Sequence, residues 1–189
     1  ENTTNGAQDA GGDDGNAPVE AGSEIPPGAE SVEFVVLPVA CINEGKGAPL
    51  AMGIQRWWAQ ELAANGAKAA APVFTALHTD EAGNKVPALM VFKEPWNDER
   101  AIDGLKRFPN ARMGLSVDMK AEDDAVALQA RLFALEGEAL VERKTWSFEG
   151  KASDLPAELF TVLKDLAGIL EAKVDHNSWK GAFGTSDQQ

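Results

Sequence analysis

One cysteine, Cys41, and two histidines, His78 and His176, are the side chains of this chain that could serve as a soft nucleophile or an imidazole base. A thiolate–imidazole pair needs both groups within hydrogen-bond reach and a third group orienting the base. Cys41 instead closes the apolar run VEFVVLPVAC, where a free cysteine behaves as a small hydrophobe. His78 precedes Thr79-Asp80, as a turn histidine does. A lone cysteine also excludes an intrachain disulfide and a cysteine-based zinc site. Asp175-His176 with Asp187 offers oxygen and nitrogen donors, but at no spacing that builds a hard-cation loop. Glu122-Asp123-Asp124 reads as a charged strand turn, because acid–base work needs a desolvated carboxyl group in a cleft. Gly45-Lys46-Gly47 follows a strand but lacks the glycine orders that cradle phosphate in P-loops and dinucleotide folds. These residues therefore predict no catalytic site, no metal site and no cofactor.

The five tryptophans, set against no tyrosine, are the residues best suited to recognition. Trp57 and Trp58 are neighbours on a helical stretch, so their side chains diverge by about 100° and both cannot enter one core equally. Exposed tryptophan is favoured at binding hot spots. Trp57, Trp58, Trp96 in EPWNDE and Trp179 in the C-terminal stretch are the interaction candidates. Packing at the core or rim is the competing fate of each.

The scaffold that must position these residues is small. With 189 residues and no internal repeat, the chain has room for one ordinary domain plus an appendage. The net charge is −13, and residues 1–30 hold Glu1, Asp9, Asp13, Asp14, Glu20, Glu24 and Glu30 without a single Lys or Arg. That stretch, rich in Gly, Ala, Asp and Pro, cannot bury enough surface to offset its ordering entropy and reads as an acidic disordered tether. Setting those seven aside leaves 23 acids against 17 bases in the body. Such a surface repels phosphate backbones, and no basic stripe with interleaved aromatics relieves it, so nucleic acid is not an expected partner. No apolar run reaches the length of about twenty residues that a membrane helix needs.

Periodicity supplies the elements. Val32–Cys41 suits a central strand covered on both faces. From Pro49, residues Leu50, Ile54, Trp57, Trp58 and Leu62 form a helical stripe closing at Asn65-Gly66. Ala70–Leu77 and Val86–Phe92 read as strands around the turn-rich HTDEAGNK. Asn97 or Asp98 caps a short helix to Phe108. Met113–Lys120, Val126–Ala134 and Glu138–Phe148 alternate as a three-stranded meander, the last imperfectly, as an edge strand does. Asp154 and Pro156 open a helix predicted to run to about Val174. The expectation is an α/β (α+β) domain over residues 31–175: a mixed sheet of about five strands, ending in an antiparallel meander, with three helices packed on it. An irregular tail covers residues 176–189.

This order, with Leu37-Pro38, Leu50-Ala51-Met52-Gly53-Ile54 and Ala130-Arg131-Leu132-Phe133, resembles the amino-terminal domain of TolB and the FlgO-like domains of bacterial envelope and tetratricopeptide-repeat proteins. The resemblance spans roughly Val32 to Leu170. It departs from the family in lacking the Asn-Leu-Ser-Gly that often follows the first strand, and Thr75–Glu94 reads as an insertion. The resemblance implies a non-enzymatic scaffolding module of a bacterial cell-envelope or membrane-associated assembly, with other protein subunits as partners. The acidic tether is of the sort that separates a folded envelope domain from a lipid anchor or membrane helix, with a plain inter-domain linker as the competing reading. The expectation is therefore a periplasmic setting, with the membrane reached only through an N-terminal lipid anchor or upstream segment. A carbohydrate or peptidoglycan binder using exposed tryptophan, and an enzyme of unrecognised type, stand as the alternatives.

Overall fold

The computed structural model describes residues 28–43, 47–80 and 82–172. Residues 1–27 of the expected tether, and 173–189 with the expected tail, Asp175, His176, Trp179 and Asp187, lie outside them. Gly28–Glu30, assigned to the tether from composition, belong to the fold: Ala29 is buried, and Asn110 Nδ2 donates to the Glu30 carbonyl at 2.6 Å.

The elements in chain order are β1 (Phe34–Val36), β2 (Ala40–Cys41), α1 (Ala48–Ala64), β3 (Ala69–Ala70), β4 (Thr75–Thr79), β5 (Lys85–Leu89), α2 (Asp98–Lys106), β6 (Met113–Glu122), β7 (Ala125–Glu136), β8 (Ala139–Lys151) and α3 (Leu155–Ile169). This is the expected α+β class with a mixed sheet and three helices. The main sheet runs β3-β1-β6-β7-β8, with β2 also paired to β6. β1 lies parallel to β3 and β6, while β6, β7 and β8 form the antiparallel meander.

Alternation along β6 and β7 makes two cores, one on each face. Leu115, Val117, Met119, Leu128, Ala130 and Leu132 meet α1 and α3 on one face. Val35, Leu37 and Phe133 meet Leu105 and Phe108 on the other, where α2 packs. Gly114 belongs to the second face because a side chain there has no room: an added Cβ would lie 2.7 Å from Leu105 and 2.8 Å from Phe133.

Several boundaries differ from the sequence expectation: β5 ends at Leu89 rather than Phe92, α2 at Lys106 rather than Phe108, β8 runs on to Lys151, and three further departures have a plain physical cause. The apolar run 32–41 is two short strands, since Pro38 has no N–H for a ladder; its carbonyl accepts instead from Trp96 Nε1 at 2.7 Å. The strand expected over Ala70–Leu77 breaks at Pro72: β3 stays in the main sheet, and β4 pairs with β5 in a separate hairpin. α3 stops at Ile169 rather than near Val174. Glu171 takes a left-handed conformation (φ 56°), and Ala172 N–H bonds back to the Ala167 carbonyl at 2.8 Å, the Schellman pattern that ends helices. Glu is an uncommon residue there, which hides the stop.

Candidate functional site

α1 leaves its N-terminus beside β2 and runs back across the sheet to Gly66, whose φ of 99° ends it. Its stripe of Ile54, Trp58 and Leu62 is fully buried on the sheet. A second stripe of small residues, Ala51, Ala59 and Ala63, faces the segment that leaves β3 for the β4–β5 hairpin. Large side chains are missing from that stripe, so the two walls stand apart and enclose a groove of about 650 Å³. Gln55 fixes the walls in place: its amide nitrogen donates to the Val36 carbonyl at 2.9 Å and to the Pro72 carbonyl at 3.0 Å, joining α1, β1 and the chain after β3. A buried amide with both donors used rigidifies the site without being offered to a ligand.

The opposite wall is the hairpin base. Phe92 stacks on Trp96 at 4.8 Å, Phe74 meets Phe92 edge-on at 5.4 Å, and the Arg107 guanidinium lies 4.3 Å over the Phe74 ring. Cys41 N–H donates to the Phe92 carbonyl at 2.7 Å and Met90 N–H to the Phe74 carbonyl at 2.9 Å, so the returning strand is tied both to β2 and to its own partner. Held this way, Val73, Leu89, Met90 and Val91 project toward the groove with Met52 of α1, and all five are exposed. Val73 is 69% and Leu89 56% exposed, and beyond the groove Leu77 is 69% exposed, so apolar surface continues from the groove onto the hairpin.

The polar groups on the groove walls are few: Gln55, Arg56 and Gln60 on α1, with Cys41 at the inner end. Burial pushes the Cys41 thiol above its ordinary value, away from the reactive thiolate. His78 stands exposed on β4 while Cys41 is fully buried, so these two do not form the thiol–imidazole pair considered from the sequence; His176, the other candidate imidazole, lies outside the described residues. Glu122 and Asp123-Asp124 lie at the β6–β7 turn, where Asp123 supplies the left-handed residue (φ 49°) and Glu122 pairs with Lys120 at 2.9 Å. Among the described residues no three His, Cys, Asp or Glu side chains gather as a metal site would. Lys46 and Gly45 lie outside them.

The tryptophan expectation is corrected. Trp57, Trp58 and Trp96 are all interior, at 7%, 0% and 7% exposure, and offer no recognition face. The divergence of Trp57 and Trp58 is real, but α1 is covered on two sides, by the sheet and by α3, so both directions are interior; Trp58 Nε1 donates to the Leu159 carbonyl of α3 at 3.1 Å. Trp179 lies outside the described residues. The exposed apolar groups are aliphatic, and the signal for them was the unalternating VPALMVF, which carries more apolar residues than a two-stranded hairpin can cover.

A second polar group sits on the α2 face of the sheet. Asp118 of β6 accepts from Trp96 N–H at 3.1 Å, and Arg131 of β7 pairs with Asp98 at 3.2 Å. Burial raises the Asp118 carboxyl above the usual range, against the opposing pull of the Trp96 N–H and of Arg131 and Arg100. These groups fix the loop before α2 onto the sheet.

No family model matches the chain, and no curated protein matches it. Among solved structures, a hypothetical protein from Chlamydia trachomatis is similar at 10% identity over 74% of this chain and 89% of that chain, with a TM-score of 0.35, a likeness too slight to bear on fold or function.

Proposed function

We propose that this chain is a non-catalytic docking domain that receives an apolar segment of another protein in the groove between α1 and the β4–β5 hairpin. One observation carries the reading: a groove of about 650 Å³ with aliphatic walls opens onto contiguous exposed Met52, Val73, Leu89, Met90 and Val91. That size lies within the usual range of pockets that bury apolar ligands, and apolar exposure of this kind marks recognition surfaces. The few polar groups on its walls include a doubly engaged Gln55 amide and a thiol kept protonated by burial, which favours binding over acid–base or nucleophilic work. The outer sheet edge at β8 is a poorer docking place. It presents exposed Glu142, Arg143 and Lys144, and carries a bulge at Arg143, two devices that discourage strand addition. Placement in a bacterial envelope assembly rests on the TolB-like resemblance of the strand and helix motifs.

The test is selection of random peptides on the immobilised chain, followed by binding to Met52→Asp and Val73→Asp variants, both at exposed positions. Selected peptides rich in aliphatic residues should lose at least about tenfold in affinity, some 1.4 kcal/mol, for either variant. Failure to enrich any peptide, or binding indifferent to both charges, would sink the reading.

A further inference from the structure

We infer that the outer edge of β4 is a self-association edge, on which a second copy of this chain pairs its own β4 in antiparallel fashion about a two-fold axis at Leu77. The register of the hairpin leads there. Met90 N–H bonds the Phe74 carbonyl and Asp80 N–H the Asn84 carbonyl, so 74↔90 and 80↔84 are hydrogen-bonded pairs. Antiparallel ladders alternate, so Ala76↔Ala88 and His78↔Val86 bond inward, while Thr75, Leu77 and Thr79 turn their N–H and C=O groups outward. Pro87, opposite Leu77, follows the same rule: its nitrogen falls on the outer edge of β5, where no donor is missed, and it blocks that edge.

Each of the other free edges among the described residues is guarded. β8 has its charges and bulge, β3 has two residues before Pro72, and β5 has Pro87. β4 alone, Thr-Ala-Leu-His-Thr, has no proline and no Asp, Glu, Lys or Arg to repel a strand, its one titratable residue being His78, and its two Thr suit a pleated surface.

The occupant follows from symmetry and charge. Outward groups at 75, 77 and 79 match themselves when Leu77 meets Leu77 and Thr75 meets Thr79 of the second copy, so one isologous register satisfies all three. That register brings Leu77, 69% exposed, against its own copy, with Leu89 on the same face. It also sets Asp80 of one copy, its carboxylate held in its own turn by the Ala82 and Asn84 N–H groups, opposite Phe74 of the other, whose ring carries the Arg107 guanidinium at 4.3 Å, so charges of opposite sign lie near each other at both ends of the ladder. The chain's net negative charge is absent from the paired strand itself. The result is a four-stranded intermolecular sheet in place of two hairpins that are each marginal alone.

Sedimentation equilibrium on the full chain, with Leu77→Lys, Leu77→Pro and Leu77→Cys, tests this. Wild type should dimerise reversibly. Leu77→Lys, which opposes two ammonium groups, and Leu77→Pro, which deletes only the outward donor, should each weaken the dimer by at least about tenfold. Leu77→Cys should oxidise to a symmetric interchain disulfide, because paired Cα atoms about 5.5 Å apart lie within disulfide range; Cys41 is buried and does not compete. Slow hydrogen exchange at Ala76, His78, Val86 and Ala88 in the variants establishes that the hairpin itself survives. A wild type that stays monomeric, or a dimer untouched by Leu77→Lys, overturns the inference. Leu77 does not line the groove, so peptide binding there should persist in all three variants, and failure of the one idea is separable from failure of the other.

Discussion

Asp165 joins α3 to the end strand of the sheet: its carboxylate accepts from Lys144 Nζ at 2.6 Å and from Trp146 Nε1 at 2.9 Å. The Lys144 hydrogen bond first, and the Trp146 one second, hold the carboxyl below the usual carboxylate range. A depressed carboxyl contributes stability that is present above its unfolded value, about 3.9, and is lost as pH falls through the folded value. Asp165→Asn keeps an acceptor for the indole but removes the charge. Because the group is partly exposed, the expected cost at neutral pH is small, about 0.5–1 kcal/mol. Urea denaturation of both proteins across pH should show that gap closing on the acid side; a gap of constant size would refute the assignment. Asp118 acts in the opposite sense, since burial raises its carboxyl and any stability from its protonated form is lost as pH rises through the folded value. Neither behaviour is legible in the sequence. Asp165 and Trp146 lie nineteen positions apart, and their meeting depends on α3 packing against β8.

At the scale of elements, β6 and α2 meet at a point where nothing larger than hydrogen fits. Gly114→Ala places a methyl 2.7 Å from Leu105 Cδ1 and 2.8 Å from the Phe133 ring, and both neighbours are themselves buried. Relief must come from shifting the Leu105 and Phe133 side chains within a packed core, so the expected loss is about 1–3 kcal/mol, read as a lower urea midpoint with an unchanged slope. A loss near zero would mean that α2 is packed more loosely than the contact implies. The elements here were largely legible, because periodicity reports which face is buried: Met113 to Met119 and Val126 to Ala134 alternate because each has one face under α1 and α3. Caps were legible too, with Asn97 accepting from Arg100 N–H at 2.9 Å and Gly66 closing α1. Where periodicity gives the same signal for two outcomes, reading fails. Val32–Cys41 is apolar throughout, so the break at Leu37–Val39 leaves no gap in the pattern, and only the chemistry of Pro38 marks it. The imperfect alternation of β8 had a specific cause: Leu132 faces Lys144 and Phe133 faces Glu142, so Arg143 is an extra residue that flips the face.

For the molecule as a whole, the groove depends on the part that the main core holds least. The β4–β5 hairpin pairs only with itself among the described residues, exposes most of its side chains, and reaches the body through the Phe74–Phe92–Trp96 ladder and the bond from Cys41 N–H. Two-stranded hairpins are marginal in water, so the hairpin should open locally well below the cost of unfolding the two cores. One groove wall, Val73, Phe74 and Leu89 to Val91, belongs to this unit, whereas the α1 wall belongs to the main core. This division explains why the site was hard to foresee: a groove between two units appears only once their relative placement is set, and the residues setting it, Gln55 and Phe92, are unremarkable in type. Phe92→Ala removes the middle of the ladder while leaving every residue of both strands in place. Because Phe92 is half-buried, the global cost should fall short of that for a fully buried phenylalanine, at about 1–2 kcal/mol. The local effect should be larger: amide protection over Thr75–Leu89 should drop at least about tenfold relative to β6 and β7, whose amides report the main core. Peptides selected for the groove should weaken in parallel, because binding must then first order the wall. Uniform loss of protection through β6 and β7 would instead place the hairpin inside the same cooperative unit as the sheet.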